Sequence, residues 1–301
     1  MRINFSLAFC IELCKCQKGM VKYMKQRVIS SVVGLSVLAV VLLFYTTIVL
    51  NIAVAIISLL AVYEVLKPLN IKNKALKFVC FVFVALIPFL NITGIFSLLP
   101  IISFLFIILL FIILIFDHQA ITIEQTSLCF FMSLIIPLSL SSEIYMRDSN
   151  DFLSGIFYLL ISLGGAWLTD TGAYFIGVKF GKHKFSPTIS PNKTIEGVVG
   201  GITVNLVLYV LIGMLFTYVC SLFGMTVDIN YLLLIIAAPI CSAFAILGDL
   251  SASLVKRHYK IKDFGHIMPG HGGVLDRFDS VFFVVPFFSI FVNYFPIITV
   301  A

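Results

Sequence analysis

The sequence predicts an all-α, polytopic integral membrane protein with about nine transmembrane helices. The chain has 301 residues, of which 61% are hydrophobic and only 11% are charged, and its mean hydropathy is +1.14. About a quarter of the residues in soluble domains are charged, so the alternative of a large soluble helical bundle is disfavoured. Several uncharged runs are long enough to cross a bilayer, which takes ~20 helical residues. The predicted spans lie near residues 28–46, 48–63, 76–91, 95–116, 125–142, 152–176, 197–220, 231–250 and 280–299.

The positions of Lys and Arg predict the orientation of these spans. With the N-terminus inside, 19 of the 20 basic residues fall on inner segments and only Arg147 lies outside, in agreement with the positive-inside rule. The net charge of +6 therefore belongs to the inner face, where it suits anionic lipid head groups or phosphates. The sequence contains no separate basic domain, so nucleic acid is not expected as a partner.

The distribution of ionisable residues divides the chain into three regions. The first is an N-terminal extension on the inner side, and the second is a transmembrane scaffold. The third is a transmembrane region that carries the candidate catalytic residues and two inner loops. Glu64 and Glu143 lie at span ends of the scaffold and are interpreted as interfacial. The regions cover residues 1–27, 28–150 and 151–301, and the loops cover 177–196 and 251–279.

The first candidate site lies in residues 163–197. Asp170 would be a carboxylate inside the membrane, which is costly without a partner. Two Ser-Pro pairs then break the helix, and Lys193 and Thr194 lie where the seventh span begins. Free N–H groups at a helix start, beside a Lys and a hydroxyl, favour phosphate binding. A solvated basic loop with Asn192 as the helix cap accounts for the same pattern.

The second candidate site lies at the inner end of the eighth span. Asp249, Ser253 and Lys256 are spaced by four and three residues, so they share one helix face. A carboxylate and a hydroxyl suit Mg2+, which prefers oxygen ligands and keeps waters or substrate phosphates as the others. The alternative is a simple Asp–Lys helix pair worth a few tenths of a kcal/mol. An Asp after a long apolar run is costly to place, which favours a functional role.

The third candidate site is residues 260–280, a loop rich in glycine and charge. Its glycines permit tight backbone approach to a ligand. Asp276 and Asp279 are three residues apart, so both face the same way if the last helix starts near Leu275. Two like charges that close repel each other unless a cation lies between them. The alternative is that Asp276 caps the helix and Asp279 complements its dipole.

Together, Asp249, Asp276, Asp279 and a basic, glycine-containing loop are predicted to converge on the inner face. This combination suits phosphoryl or nucleotidyl transfer, in which one or two Mg2+ ions bridge phosphate oxygens and Lys and Arg complete the clamp. The residues alone thus predict a membrane enzyme or carrier that acts on anionic phosphates.

Several motifs in the C-terminal half keep a specific spacing. They are SLVKR at 253–257, KD at 262–263, Gly265, PGHGG at 269–273 and DRFD at 276–279, preceded by Gly248, Asp249 and a stretch with Asp170, Tyr174, Gly177, Gly181, Lys193, Thr194, Glu196 and Gly197. In these residues the chain resembles the phosphatidate cytidylyltransferase (CDP-diglyceride synthase) family. The specific motifs cover only about residues 163–280, and the first half resembles the family in hydropathy alone.

This resemblance implies the reaction CTP + phosphatidate → CDP-diacylglycerol + pyrophosphate in phospholipid biosynthesis, with up to two Mg2+ ions per site. It also implies a homodimer in a bacterial inner membrane, with the site facing the cytoplasm. The implied catalytic residues are Asp249, Asp276, Asp279, Lys193, Lys256 and Arg277, and the implied metal ligands are Asp249, Asp276, Asp279 and Ser253. The implied substrate-binding residues are Ser190, Thr194, Glu196, Ser253, Arg257, Lys262, His271, Gly272 and Gly273.

Two other functions fit these residues. A CTP-dependent polyprenol or phytol kinase would share the membrane setting and the nucleotide, but would transfer the γ-phosphate and release CDP. A transporter of anionic phosphate compounds would also carry intramembrane Asp and helix-breaking Gly and Pro. Against transport, no internal repeat relates the two halves of the sequence.

Overall fold

The computed structural model describes residues 29–30, 32–90, 95–268 and 272–300, which form a mostly helical bundle. The helices are α1 (Val32–Leu43), α2 (Ile48–Leu66), α3 (Lys74–Leu86), α4 (Leu99–Phe116), α5 (Ile123–Ser149), α6 (Phe152–Phe180), α7 (Ile195–Leu222), α8 (Tyr231–His258), α9 (Leu275–Phe278) and α10 (Val281–Tyr294). Short 3-10 turns cover Ile87–Phe89 and Ile95–Leu98. Four short strands form two antiparallel ribbons: β1 (Lys184–Ser186) with β2 (Ser190–Thr194), and β3 (Val227–Ile229) with β4 (Ile298–Val300). The predicted helical class is confirmed, and the predicted extension, residues 1–27, lies outside the described residues.

Within the described part of the chain, six helices are long and apolar enough to cross a membrane: α2, α4, α5, α6, α7 and α8. The other predicted spans correspond to the shorter helices α1, α3 and α10. α3 has 13 residues because the chain passes into a 3-10 turn at Pro88. α10 has 14 residues, after which the chain becomes extended and forms β4. The count of about nine spans therefore stays a prediction.

Polar side chains cap the helices and so set the positions of the loops. The side chains of Asn73, Asp151 and Thr194 each accept a backbone hydrogen bond from the first turn of α3, α6 and α7. Thr122 and Gln125 form a reciprocal capping box at the start of α5. Each cap satisfies N–H groups that a helix start leaves without partners.

Small residues hold α6 and α7 in close contact, and α6 packs more extensively on α7 than on any other helix. A Cβ added at Gly172 would lie 2.8 Å from the Cβ of Val204. A Cβ at Gly201 would lie 2.7 Å from the carbonyl oxygen of Thr169. Because these positions lack side chains, the two backbones approach closely, as in other small-residue interfaces of membrane proteins.

We expect Gly201→Ala to lower the free energy of unfolding by about 1–3 kcal/mol, because the added methyl group forces the two helices apart. Thermal unfolding in detergent would measure the change. Gly34→Ala on α1 is the matched control, since a Cβ there meets nothing within 4 Å and stability should hold. Equal stability of Gly201→Ala and the unmodified protein would contradict this packing.

The loops predicted to lie on the inner side share one end of the bundle. Asn73 donates a hydrogen bond to Asp117, and Gln125 donates one to the carbonyl of Leu69, which joins the loops at the ends of α2 and α4. At the opposite end, Arg147 donates to the carbonyl of Thr47, and β3 pairs with β4. Candidate site residues from α6, α8 and α9 therefore meet at one end.

Candidate active site

Three carboxylates from different elements meet at this end, and we call Asp170, Asp249 and Asp279 the acidic cluster. Asp170 on α6 accepts a hydrogen bond from the Ser280 hydroxyl, with 2.7 Å between the oxygens. Asp249 on α8 forms an ion pair with Lys193, with 2.5 Å between nitrogen and oxygen. Asp279 follows α9 and is only 9% exposed. Burial, and then the charges of Asp249 and Asp170, raise the pKa of Asp279 to about 8. The three carboxylates thus disfavour one another's ionised forms, which a bound cation would stabilise.

A glycine next to Asp249 lets the elements of the cluster approach. A Cβ at Gly248 would lie 2.5 Å from the carbonyl oxygen of Asp279 and 2.9 Å from the Cα of Ser280. Any side chain at position 248 would push the chain that follows α9 away from α8. The pair Gly248-Asp249 therefore supplies both the contact and the carboxylate.

Asp276 lies in a separate set of contacts. Its Oδ1 accepts a hydrogen bond from the Lys256 ammonium at 2.9 Å. Its Oδ2 accepts from the backbone N–H groups of Phe264 and Gly273, both at 3.0 Å. Asp279 continues the helical backbone of α9, with φ −55° and ψ −43°, but its carboxylate has other neighbours than that of Asp276. Asp276 holds the loop that precedes α9, whereas Asp279 joins the acidic cluster.

The ribbon β1–β2 covers the site from the side of α6 and α7. Glu196 accepts hydrogen bonds from the backbone N–H groups of Lys182 and His183 and contacts the His183 ring at 2.6 Å. Thr194, and not Asn192, caps α7. Arg257 donates to the carbonyl of Ile189 at 3.3 Å, which ties the ribbon to α8. In this structure, Glu196 and Thr194 hold the ribbon in place.

Arg277 lies at the edge of the acidic cluster. Its guanidinium interacts electrostatically with Asp170. Its carbonyl oxygen accepts a hydrogen bond from the indole N–H of Trp167 at 3.1 Å. The Trp167 ring packs edge-on against Phe278, with 6.1 Å between ring centroids. Trp167 is the one Trp of the sequence, so its environment reports on α9.

The remaining predicted residues lie around these groups. Ser253 is buried on α8, one turn after Asp249. Gly272 has a φ of +87°, which favours glycine. Lys262 is exposed, and Ser190 begins β2. Gly273 donates to Asp276, as described above, and His271 lies outside the described residues.

The donor chemistry of the acidic cluster fits a hard divalent cation, because carboxylate oxygens are the ligands that Mg2+ prefers. Among the described residues, however, no group of three or more His, Cys, Asp or Glu side chains is arranged to hold a metal ion. Lys193 already pairs with Asp249, and Lys256 with Asp276. The predicted ligands Asp249 and Asp279 lie near each other, whereas Asp276 is engaged elsewhere.

Two carboxylates near the site make contacts that the sequence did not predict. The sequence places Asp170 in the first candidate site as an intramembrane carboxylate, but assigns it no catalytic, substrate-binding or metal-binding role. Glu64, predicted to be interfacial, does lie near the end of α2, but protein and not solvent surrounds it. Its side chain is 1% exposed and accepts hydrogen bonds from the backbone of Val274 and Leu275. Glu143 is likewise buried, at 4% exposure.

Spanning helices with charged groups gathered at one end define an integral membrane protein whose site suits phosphate compounds. Residues 25–295 match the family described as the cytidylyltransferase family. The chain therefore belongs to the cytidylyltransferase family, which confirms the resemblance found in the motifs.

Similar curated proteins carry the name phosphatidate cytidylyltransferase. That of Staphylococcus haemolyticus is 47% identical over 136 residues, which are 45% of this chain and 49% of the relative. That of Bacillus subtilis is 42% identical over 167 residues, or 55% of this chain and 58% of the relative. That of Staphylococcus saprophyticus is 49% identical over 138 residues, or 45% of this chain and 49% of the relative. The chain spans about half the length of the curated relatives it matches.

Proposed function

We propose that this chain transfers the cytidylyl group of CTP to phosphatidate, giving CDP-diacylglycerol and pyrophosphate. The observation that carries the proposal is the acidic cluster beside Lys193, at the end of the bundle where Lys256 and Arg277 also lie. These charges suit a metal-bound triphosphate and a phosphate monoester. The names of the similar proteins supply the particular substrates.

In the proposed reaction, an oxygen of the phosphatidate phosphate forms a bond to the α-phosphorus of CTP. The bond between that phosphorus and the oxygen bridging to the β-phosphate breaks, and pyrophosphate leaves with the electron pair. A phosphate monoester has a second pKa of ~6, so it is largely ionised near neutral pH. No strong general base is therefore needed, and His271 is not assigned that role.

The basic residues would hold the two phosphate substrates. Lys193 and Lys256 each pair with a carboxylate in this structure, and Arg257 and Arg277 lie at the ends of α8 and α9. Mg2+ is proposed as the cofactor, and Asp249 and Asp279 would hold it with Ser253 close by on α8, while substrate phosphates and waters would supply the other ligands. When bound, such a cation neutralises charge that develops on the phosphates.

We place the proposed reaction at the cytoplasmic face of a bacterial inner membrane. The concentration of Lys and Arg on the predicted inner segments supports this orientation. The resemblance described above supports a homodimer. The site residues named above all belong to one chain, so their roles do not depend on dimer formation.

The reaction is tested with membranes that contain the chain, phosphatidate, Mg2+ and CTP labelled at either the α- or the γ-phosphorus. We expect α-label to enter the lipid phase with an equal amount of pyrophosphate, while γ-label stays in the water. Chelation of Mg2+ should stop both the labelling of lipid and the release of pyrophosphate. The double variant Asp249→Asn, Asp279→Asn is the inactive control.

Other outcomes would replace the proposal. Entry of γ-label into lipid with release of CDP would indicate a lipid kinase. Accumulation of unchanged phosphate compound inside sealed vesicles, with no labelled lipid, would indicate transport. Equal lipid labelling by the control variant would show that the acidic cluster is not the site.

A further inference from the structure

The buried carboxylate of Glu64 holds the loop that leads into α9. Glu64 lies near the end of α2, 210 residues before its partner Val274. Its Oε1 accepts a hydrogen bond from the Val274 N–H at 3.0 Å, and its Oε2 accepts one from the Leu275 N–H at 2.9 Å. Both oxygens of one side chain therefore hold consecutive backbone groups at the start of α9.

Two glycines make room for this carboxylate. A Cβ added at Gly265 would collide with the Glu64 carboxylate, and so would a Cβ added at Gly273. The loop backbone thus approaches Glu64 from two sides. This close approach gives a physical reason for glycine at both positions that does not depend on backbone flexibility, since neither has a positive φ.

α9 depends on outside contacts for its position. It has only four residues, and its N-cap residue Val274 makes no side-chain capping bond. Helical backbone at Asp279 and Ser280 joins its end to α10, whereas its first turn has no helix before it. Glu64 supplies the missing acceptors from one side, and Asp276 binds the N–H groups of Phe264 and Gly273 from the other. Hydrogen bonds to a carboxylate are among the stronger ones in proteins.

The position of α9 determines where three candidate catalytic side chains lie. Asp276 and Arg277 are in α9, and Asp279 follows it directly. A rotation of this single turn would move Asp279 out of the acidic cluster and would change the distance from Lys256 to Asp276. We propose that Glu64 is a positioning residue of the active site, whose carboxylate fixes the start of α9 and thereby orients Asp276, Arg277 and Asp279.

This inference rests on the proposed function, and Trp167 provides a readout that does not. The Trp167 indole N–H donates to the carbonyl of Arg277, and its ring packs on Phe278. Because the chain has a single Trp, a shift in its fluorescence emission reports a displacement of α9. A residue that only stabilises the bundle would leave this emission unchanged in the folded protein.

The test compares Glu64→Gln with Glu143→Gln as the matched control. Both carboxyls are buried, but Glu143 accepts its hydrogen bond from Ser162 on α6. An amide nitrogen cannot accept a hydrogen bond, so Glu64→Gln leaves one of the two N–H groups without an acceptor. We expect kcat for cytidylyl transfer to fall on the order of 100-fold, because small displacements of catalytic groups have such effects. The KM for CTP should change by less than about threefold, because Lys193 and Lys256 lie outside α9, on β2 and α8.

The same preparations give the second readout. Emission of Trp167 should shift in Glu64→Gln and stay as in the unmodified protein in Glu143→Gln. A kcat within twofold of the unmodified enzyme, or an unshifted emission, would overturn the proposal. If the unmodified chain shows no cytidylyl transfer, the proposed function fails, while the emission still decides whether Glu64 positions α9.

A double-mutant cycle keeps the test decisive if Glu64→Gln does not fold. Gly265→Ala presses on the Glu64 carboxylate from the loop side, and Glu64→Asp withdraws that carboxylate by one methylene group. We expect Gly265→Ala to lower kcat on the order of 10-fold alone and much less in the Glu64→Asp background, as coupled neighbours do. If the effects of the two substitutions on kcat multiply in the double variant, positions 64 and 265 do not act through this contact.

Discussion

Asp249→Asn is expected to lower kcat for cytidylyl transfer on the order of 100- to 1000-fold, the usual loss when one group that stabilises transition-state charge is removed. The asparagine keeps the shape of the side chain but lacks the negative charge that, under the proposed function, would hold Mg2+. Asp279→Asn should cause a similar loss. Initial rates of α-label transfer at saturating CTP would measure both effects.

Asp279→Asn should lower kcat but raise the stability of the metal-free protein. Asp279 is buried near Asp249 and Asp170, which raises the pKa of its carboxyl to about 8. Above that pH the carboxyl is ionised and its neighbours repel it. The melting temperature of Asp279→Asn should therefore exceed that of the unmodified protein at about pH 9. Asp228→Asn is the control, because Asp228 is exposed on β3 at the other end of the bundle. If Asp279→Asn keeps a near-normal kcat, Asp279 is not a catalytic residue.

Lys256→Met is expected to lower the free energy of unfolding by about 3–5 kcal/mol, because it leaves the buried Asp276 carboxylate without its charged partner. The side chain of Lys256 is 13% exposed and that of Asp276 is 4% exposed, so water cannot easily replace the ion pair. The expected measurement is denaturation in detergent, followed by circular dichroism.

A second substitution separates the ion pair from the general effect of losing Lys256. Adding Asp276→Asn removes the unpaired charge, and part of the lost stability should return. Lys184→Met, at an exposed position of β1, should have little effect on stability. A loss of less than about 1 kcal/mol in Lys256→Met would place this pair among weak surface ion pairs.

Local patterns in the sequence predicted the elements of the site but not how they pair. The spacing of Asp249, Ser253 and Lys256 placed them on one helix face, and Ser253 is indeed buried one turn after Asp249. The partner of Lys256, in contrast, is Asp276, 20 residues further on. That choice depends on the path of the intervening loop, which has no periodicity to read.

The other contacts that the sequence did not predict join segments far apart in the chain. The Lys193–Asp249 pair requires a particular register between β2 and α8, and the Glu64 contact joins positions 210 residues apart. Position 64 was interpreted by its place at a span end, where a carboxylate is ordinarily solvated. Only the path of the loop over α2 shows that it is enclosed by backbone N–H groups.

Each of the two Lys–Asp pairs lets a carboxylate and an ammonium neutralise each other within the protein. Under the proposed function, nucleotide phosphates would replace the carboxylates beside Lys193 and Lys256, and a divalent cation would pair with Asp249. Nucleotide that binds without the cation would leave a carboxylate unpaired, and a cation that binds without nucleotide would leave a Lys unpaired. An unpaired charge in a largely buried site is costly. Under the proposed function, these charges would favour binding of metal and nucleotide together over binding of either one alone.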